Sequence, residues 1–228
     1  MTLPHSTHQD DELSLFESIA NDIADKGYSI HPSALPDNLT ALLLQHMTEL
    51  PNEHFKRAGI GRAKDHNIND FIRTDEICWI TTDSDAGCAW IKWTQSLQDF
   101  FNRRLFLGLS SFESHFSHYA KGDFYKTHKD AFKGEDNRVL SVVVYLNQYW
   151  SANDGGELVI YNPQSATSST DNDTIVVMPN FGSIVVFLSE EFPHEVLPAK
   201  RDRYSIAGWF RLNNSLNTDP RQYFRTLG

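Results

Sequence analysis

Apolar positions recur at helical spacing in the first half of the chain and at strand spacing in the second. Leu13, Phe16, Ile19, Ala20 and Ile23 form the stripe of an amphipathic helix that stops near Gly27. Asp37 then reads as the N-cap of a second helix through Leu42, Leu43, Leu44 and Met47, ended by Pro51. Trp90, Trp93, Leu97, Phe100 and Phe101 mark a third, from about Ala86 to Leu107. Between the second and third helices, residues 57–70 are polar and contain glycines, which predicts a long loop before a strand at Ile77–Ile80.

From Phe112 onward the pattern changes to short β-type runs: Phe112–Ala120, Val139–Leu146, Leu158–Tyr161, Thr174–Met178, Ile184–Leu188, His194–Leu197 and Tyr204–Leu212. Turn clusters such as Asn153-Asp154-Gly155-Gly156 separate them, and Ser165–Ser169 reads as a solvated hairpin tip. Helices first and many short strands afterwards predict an α+β protein, a double-stranded β-helix (jelly-roll) core with the N-terminal helices packed on one face. The expected organisation is a single domain over 1–228. Residues 1–12 are disordered, 13–108 are helical support carrying the 57–70 loop, 109–212 form the jelly roll, and 213–228 are a tail.

The composition narrows the partners. With 20 Lys+Arg against 30 Asp+Glu, the net charge of -10 repels a polyanion, so no nucleic acid partner is expected. Cys78 and Cys88 stand in no metal-ligand or disulfide pattern and are expected to stay reduced. No basic segment followed by an apolar run opens the chain, and no stretch approaches the ~18 apolar residues of a membrane span. A soluble, cytoplasmic protein with no membrane partner is the expectation.

Candidate chemistry begins at His128-Lys129-Asp130. Non-haem ferrous iron takes two imidazoles and one carboxylate on one face, leaving positions open. Side chains two residues apart on a strand point the same way, so a His-x-Asp pair can supply two of those ligands. Alone the pair is a weak signal, since 10 His and 30 acidic residues yield about one His-x-acid by chance. His8-Gln9-Asp10, in a polar segment with no strand to hold it, is read as such an accident. The 128–130 pair is strengthened by His194 at the start of a later β run and by Arg203 in the strand after it. Late strands of a jelly roll return beside early ones, so His194 can close the metal site. Arg203, Ser205, Ala207 and Trp209 then share one strand face, where an arginine offers a planar fork to a carboxylate.

These residues also carry a resemblance. Tyr125-Lys126-Thr127-His128-Lys129-Asp130, Arg138 with Val144-Tyr145-Leu146-Asn147, Gly155-Gly156-Glu157-Leu158, and Pro193-His194-Glu195-Val196 leading to Arg203-Tyr204 occur in a set order. The segment Tyr119 to Trp209 resembles the catalytic core of the prolyl 4-hydroxylase branch of iron(II)/2-oxoglutarate oxygenases. It is similar to the hypoxia-inducible-factor prolyl hydroxylases and their bacterial relatives. Ile72 to Ile80 is similar to the strand that follows that branch's substrate-covering loop, so the resemblance spans about residues 57–212.

The resemblance implies Fe(II) on His128, Asp130 and His194, with 2-oxoglutarate and O2 as cosubstrates and ascorbate as an optional reductant. The distal carboxylate of 2-oxoglutarate would meet Arg203 and Tyr145, Tyr119 would lie near it, and Trp209 would wall the pocket. Arg62, Arg73 and Asp75 would contact substrate. Ala207 stands where the branch has a hydroxyl residue, so Ser205 is the candidate replacement, and Ala120-Lys121-Gly122-Asp123 departs from the corresponding turn. The implied reaction hydroxylates a prolyl residue of a protein and releases succinate and CO2, with a bacterial translation elongation factor as a candidate substrate. Asp130 argues for hydroxylation over halogenation, because Ala or Gly there would vacate a coordination position for halide. Two other readings stay open: an oxygenase of small molecules or free amino acids, and a non-catalytic jelly roll that kept only the metal. Arg203 weighs against the second, since a metal-only site has no need of a carboxylate clamp.

Overall fold

The computed structural model describes residues 6–58, 71–131, 137–162 and 174–213. In chain order these form helix α1 (Ser6–Lys26), strand β1 (Tyr28–His31), α2 (Asp37–Glu49), a short 3-10 turn (Asn52–His54), β2 (Lys56–Arg57), β3 (Glu76–Trp79) and α3 (Asp85–Leu105). Eight strands follow: β4 (Ser111–Tyr119), β5 (Tyr125–His128), β6 (Arg138–Tyr145), β7 (Leu158–Tyr161), β8 (Thr174–Val177), β9 (Ile184–Leu188), β10 (His194–Val196) and β11 (Arg203–Arg211). No helix among the described residues is long and apolar enough to cross a membrane.

The strands form a seven-stranded sheet, β1-β9-β6-β11-β4-β3-β2, and a four-stranded sheet, β5-β10-β7-β8. Alternation divides their side chains between two cores. From β6, Leu140, Val142 and Val144 join Ile206 and Phe210 of β11 against the helical residues Phe16, Leu43, Trp90, Leu97 and Phe101. On the opposite face Tyr145 packs with Tyr119, Val185 and Phe187 against Leu158, Ile160 and Val196 of the small sheet. The helices therefore cover one face of the large sheet, and the interval between the sheets is left for the site. Gly208 of β11 lies on the helical side, where a Cβ would stand 2.5 Å from the Phe112 ring.

Several boundaries differ from the sequence reading. Helix α1 begins at Ser6, so Ser6–Glu12 are helical although they carry no apolar stripe. Asp37 is the first residue of α2 and not its cap. Pro36 holds that position with an extended ψ of 131°, and its carbonyl accepts from Thr40 N. An acid in the first turn still complements the helix dipole. Helix α3 is capped by Ser84, whose hydroxyl accepts from Gly87 N, and it ends at Leu105. The N-terminal segment is more than helical support, since β1, β2 and β3 complete the large sheet. Residues 59–70, the Ser165–Ser169 tip and 214–228 lie outside the described residues.

Candidate active site

Strand pairing brings the three proposed ligands together. His128 ends β5 and His194 opens β10, and the two are direct partners in the β5–β10 ladder, with rings 4.3 Å apart. Asp130 follows two residues after His128. Its Oδ1 lies 3.6 Å from His128 Nε2 and its Oδ2 3.6 Å from His194 Nε2. One ligand atom from each residue lies within 4.8 Å of the others, close enough to share one ion.

The electrostatics suit a cation. His128 Nδ1 lies 2.8 Å from Lys126 O, and His194 Nδ1 lies 3.0 Å from Phe192 O. Carbonyls only accept, so each Nδ1 carries the proton and each Nε2 turns a lone pair to the cluster. Burial drives the His194 pKa down to about 4 against the pull of Asp130. Burial alone would raise the Asp130 carboxyl, yet His194 and His128 in their protonated forms, with the Ser141 hydroxyl, outweigh it and hold the group well below the usual carboxylate range. An ionised Asp130 beside a neutral His194 is the donor set that ferrous iron takes.

The other end of the cavity is built by the ladders of β11. Arg203 pairs with Tyr119 of β4, and Ser205 pairs with Tyr145 of β6. Arg203 is 1% exposed, donates from Nε to Gly156 O at 2.8 Å and from Nη1 to Ser205 Oγ at 3.1 Å, and lies 4.9 Å from the Tyr119 ring centre and 5.2 Å from that of Tyr145. Among the described residues no carboxylate faces it. Among the described residues Tyr145 Oη is buried with no hydrogen-bond partner, and burial pushes its phenol up to about 12, so it is a neutral donor. A buried cation without a counter-ion is costly, and a small dicarboxylate that placed one end here would relieve it. The residues fit 2-oxoglutarate on that ground.

Trp209 sits on the same β11 face and pairs with Ser141, the residue that holds Asp130. Arg138 lies 3.7 Å over its ring, and its indole Nε1 is buried with no hydrogen-bond partner among the described residues. Arg73 and Asp75 meet each other in a two-pronged pair, 2.8 and 2.7 Å, and Asp75 is fully buried. Asp75 thus reaches a substrate only through Arg73, which lies 4.3 Å over Tyr125, itself stacked 3.5 Å from His128. Arg62 lies outside the described residues. Ala207 is half-buried, and the Ser205 hydroxyl that was to replace its missing oxygen is engaged by Arg203.

Sequence reasoning missed Ser141, the Gly156 carbonyl and Ser189, whose hydroxyl lies 2.9 Å from that of Ser141. The one available signal was a lone serine within the apolar run Val139–Tyr145 of β6.

The profile of the 2OG-Fe(II) oxygenase superfamily matches residues 114–211, the stretch from β4 to β11. A Pseudomonas putida prolyl-4-hydroxylase crystal structure superposes with a TM-score of 0.76 at 36% identity, covering 87% of this chain and all of that one. The chain belongs to the 2OG-Fe(II) oxygenase superfamily. A Trichoplax adhaerens prolyl hydroxylase, solved with a peptide fragment of the hypoxia inducible factor oxygen degradation domain, superposes with a TM-score of 0.76 at 28% identity over 92% of this chain and 94% of that one. Human Egl nine homolog 1 is 30% identical over 147 residues, 61% of this chain, and the match spans 33% of the human protein. Members of this superfamily use Fe(II), 2-oxoglutarate and O2, which agrees with the metal cluster and the arginine pocket.

Proposed function

We propose that this oxygenase hydroxylates a prolyl residue of a protein substrate. The observation that carries the reading is the pairing, on one inner face, of the His128, Asp130 and His194 cluster with a buried Arg203 that has no counter-ion among the described residues. The similarity to prolyl hydroxylases from Pseudomonas putida and Trichoplax adhaerens, one of them holding a peptide, points to proline in a polypeptide.

Iron, 2-oxoglutarate and dioxygen supply the oxidation, one oxygen atom leaving in succinate and the other entering a substrate C–H bond as CO2 is lost. The chain supplies position and shielding. His128, Asp130 and His194 hold the metal. Arg203 and Tyr145 clamp the distal carboxylate, with Tyr119 beside them and Ser205 fixing the guanidinium. Trp209 walls the metal end. Outward from it His115 lies 5.5 Å away, and Trp79, 52% exposed, packs 5.2 Å beyond. Of these three only Trp79 is exposed, and it offers a surface to the chain flanking a prolyl ring. Arg73 is assigned as a substrate contact, and Arg62 is assigned the same role. A translation elongation factor is the first acceptor to try, the cytoplasm is the proposed compartment, and ascorbate is the proposed reductant.

The test is succinate release with Fe(II) and 2-oxoglutarate, with proline-containing peptides and with free proline as separate acceptors. Stimulation by peptide alone supports the reading, and stimulation by free proline alone overturns it.

A further inference from the structure

Asp130 is held from behind by two serines. It stands beyond the end of β5, so no strand ladder fixes it, and among the described residues its backbone is tied by a 3.4 Å contact from Arg138 Nη1 to its carbonyl. The side chain is better anchored. Ser141, in the middle of β6, donates to Asp130 Oδ2 at 2.7 Å, and Ser189, just past β9, lies 2.9 Å from Ser141 Oγ. They are 1% and 0% exposed.

The direction of this chain follows from proton counting. A carboxylate only accepts and a hydroxyl has one proton, so Ser141 commits its proton to Asp130. Ser189 must then be the donor between the serines. The relay runs Ser189 to Ser141 to Asp130, and each bond polarises the next. Ser189 is itself seated by its backbone N–H on Val139 O at 3.0 Å, which continues the β6–β9 ladder by one step. Oδ2 is therefore tethered, while Oδ1, 3.6 Å from His128 Nε2, accepts no hydrogen bond among the described residues.

We propose that Ser141, backed by Ser189, is a positioning residue that restricts Asp130 to binding the metal through one oxygen, so that coordination positions stay open for 2-oxoglutarate and dioxygen. This rests on the assignment of His128, Asp130 and His194 as the iron ligands. Without the tether the carboxylate turns and takes a second position.

The experiment is anaerobic Fe(II) binding by competition with a chelator, together with the visible charge-transfer band of the iron–2-oxoglutarate complex. Its variants are Ser141→Ala, Ser141→Thr, Ser189→Ala and Asp130→Ala. Removing a group that orients a metal ligand typically changes affinity about 10- to 100-fold. Ser141→Ala is expected to change Fe(II) affinity by that factor and to shift the band. Ser141→Thr, which keeps the hydroxyl, is expected to restore both, and Ser189→Ala to shift the band in the same direction by less. Wild-type affinity and band in Ser141→Ala overturn the proposal, and with Asp130→Ala losing iron they leave the ligand assignment standing. Undiminished iron binding by Asp130→Ala overturns both. Should Ser141→Ala fail to fold, an unchanged band in folded Ser189→Ala overturns the relay.

Discussion

Replacing Arg203 by lysine keeps the charge and removes the fork. Two of the five guanidinium N–H groups are committed, Nε to Gly156 O and Nη1 to Ser205 Oγ, and the guanidinium lies beside the Tyr119 and Tyr145 rings. A lysine reaches a carboxylate with a point charge and cannot make two parallel bonds to it. Losing one charge-assisted bond in this shielded site costs about 1.5–3 kcal/mol, or about 10- to 150-fold in 2-oxoglutarate affinity. The same change leaves the Gly156 carbonyl without its donor, a further penalty of about 1–3 kcal/mol in folding stability. For a chain of this size that lowers Tm by about 2–4 °C for each kcal/mol. The two effects are separable: 2-oxoglutarate is titrated into the anaerobic Fe(II) protein and followed by its charge-transfer band, while melting is measured without it. Iron affinity should be unchanged, because Arg203 is no ligand. A wild-type titration midpoint would show that the distal carboxylate is held elsewhere, and the argument from the uncompensated arginine would fail.

Gly156 has φ +70°, and a Cβ there would stand 3.0 Å from Arg203 Cδ and 3.1 Å from Ala199 Cβ. Gly156→Ala is expected to cost at least about 1–2 kcal/mol from the left-handed backbone alone and to weaken 2-oxoglutarate binding by displacing Arg203; a wild-type Tm would refute this. Fe(II) at a hundred times its Kd should stabilise the wild type by about 2.7 kcal/mol, or about 5–10 °C, and chelation should remove the gain. Asp130→Ala should fold but show no such rise, and an equal rise would remove Asp130 from the site. Burial, helped by the Arg73 charge, takes His115 down to about 4, below its unfolded value near 6.5. The unfolded chain therefore takes up the proton first, and stability falls as pH drops from about 6.5 to 4, by up to roughly 3 kcal/mol from this residue. His115→Asn should flatten that part of the Tm-against-pH curve, and an unchanged slope would contradict it.

What was legible in the sequence follows from how each residue signals. Runs such as Ile184–Leu188 and Leu158–Tyr161 are buried on both faces, and continuous apolar character reveals them. β5 escaped as a strand because Tyr125-Lys126-Thr127-His128 has no apolar alternation, its inward positions being given over to the site. β1 escaped because one of its four residues, Ser29, is buried through a 2.8 Å bond to Asp22 and so reads as surface. Asp37 reads as the cap of α2 because Pro36, which holds that position, has no side chain that could cap; its carbonyl accepts only the ordinary first helical bond, from Thr40 N, and no side chain caps α2 among the described residues. The metal-site candidates were legible because imidazole and carboxylate carry their chemistry in their names. The Gly156 carbonyl was not, since every residue has one and only the ladder of β11 aims Arg203 at this one. Ser141 lay between, a polar residue whose partner sits eleven positions upstream.

The most direct measurement of the central claim is mass spectrometry of host-lysate proteins incubated with the protein, Fe(II), 2-oxoglutarate and isotopically labelled dioxygen. One labelled oxygen on a prolyl residue of a protein is expected in the wild-type reaction and none with Asp130→Ala. Label on a different residue type, or on small molecules alone, would contradict that claim.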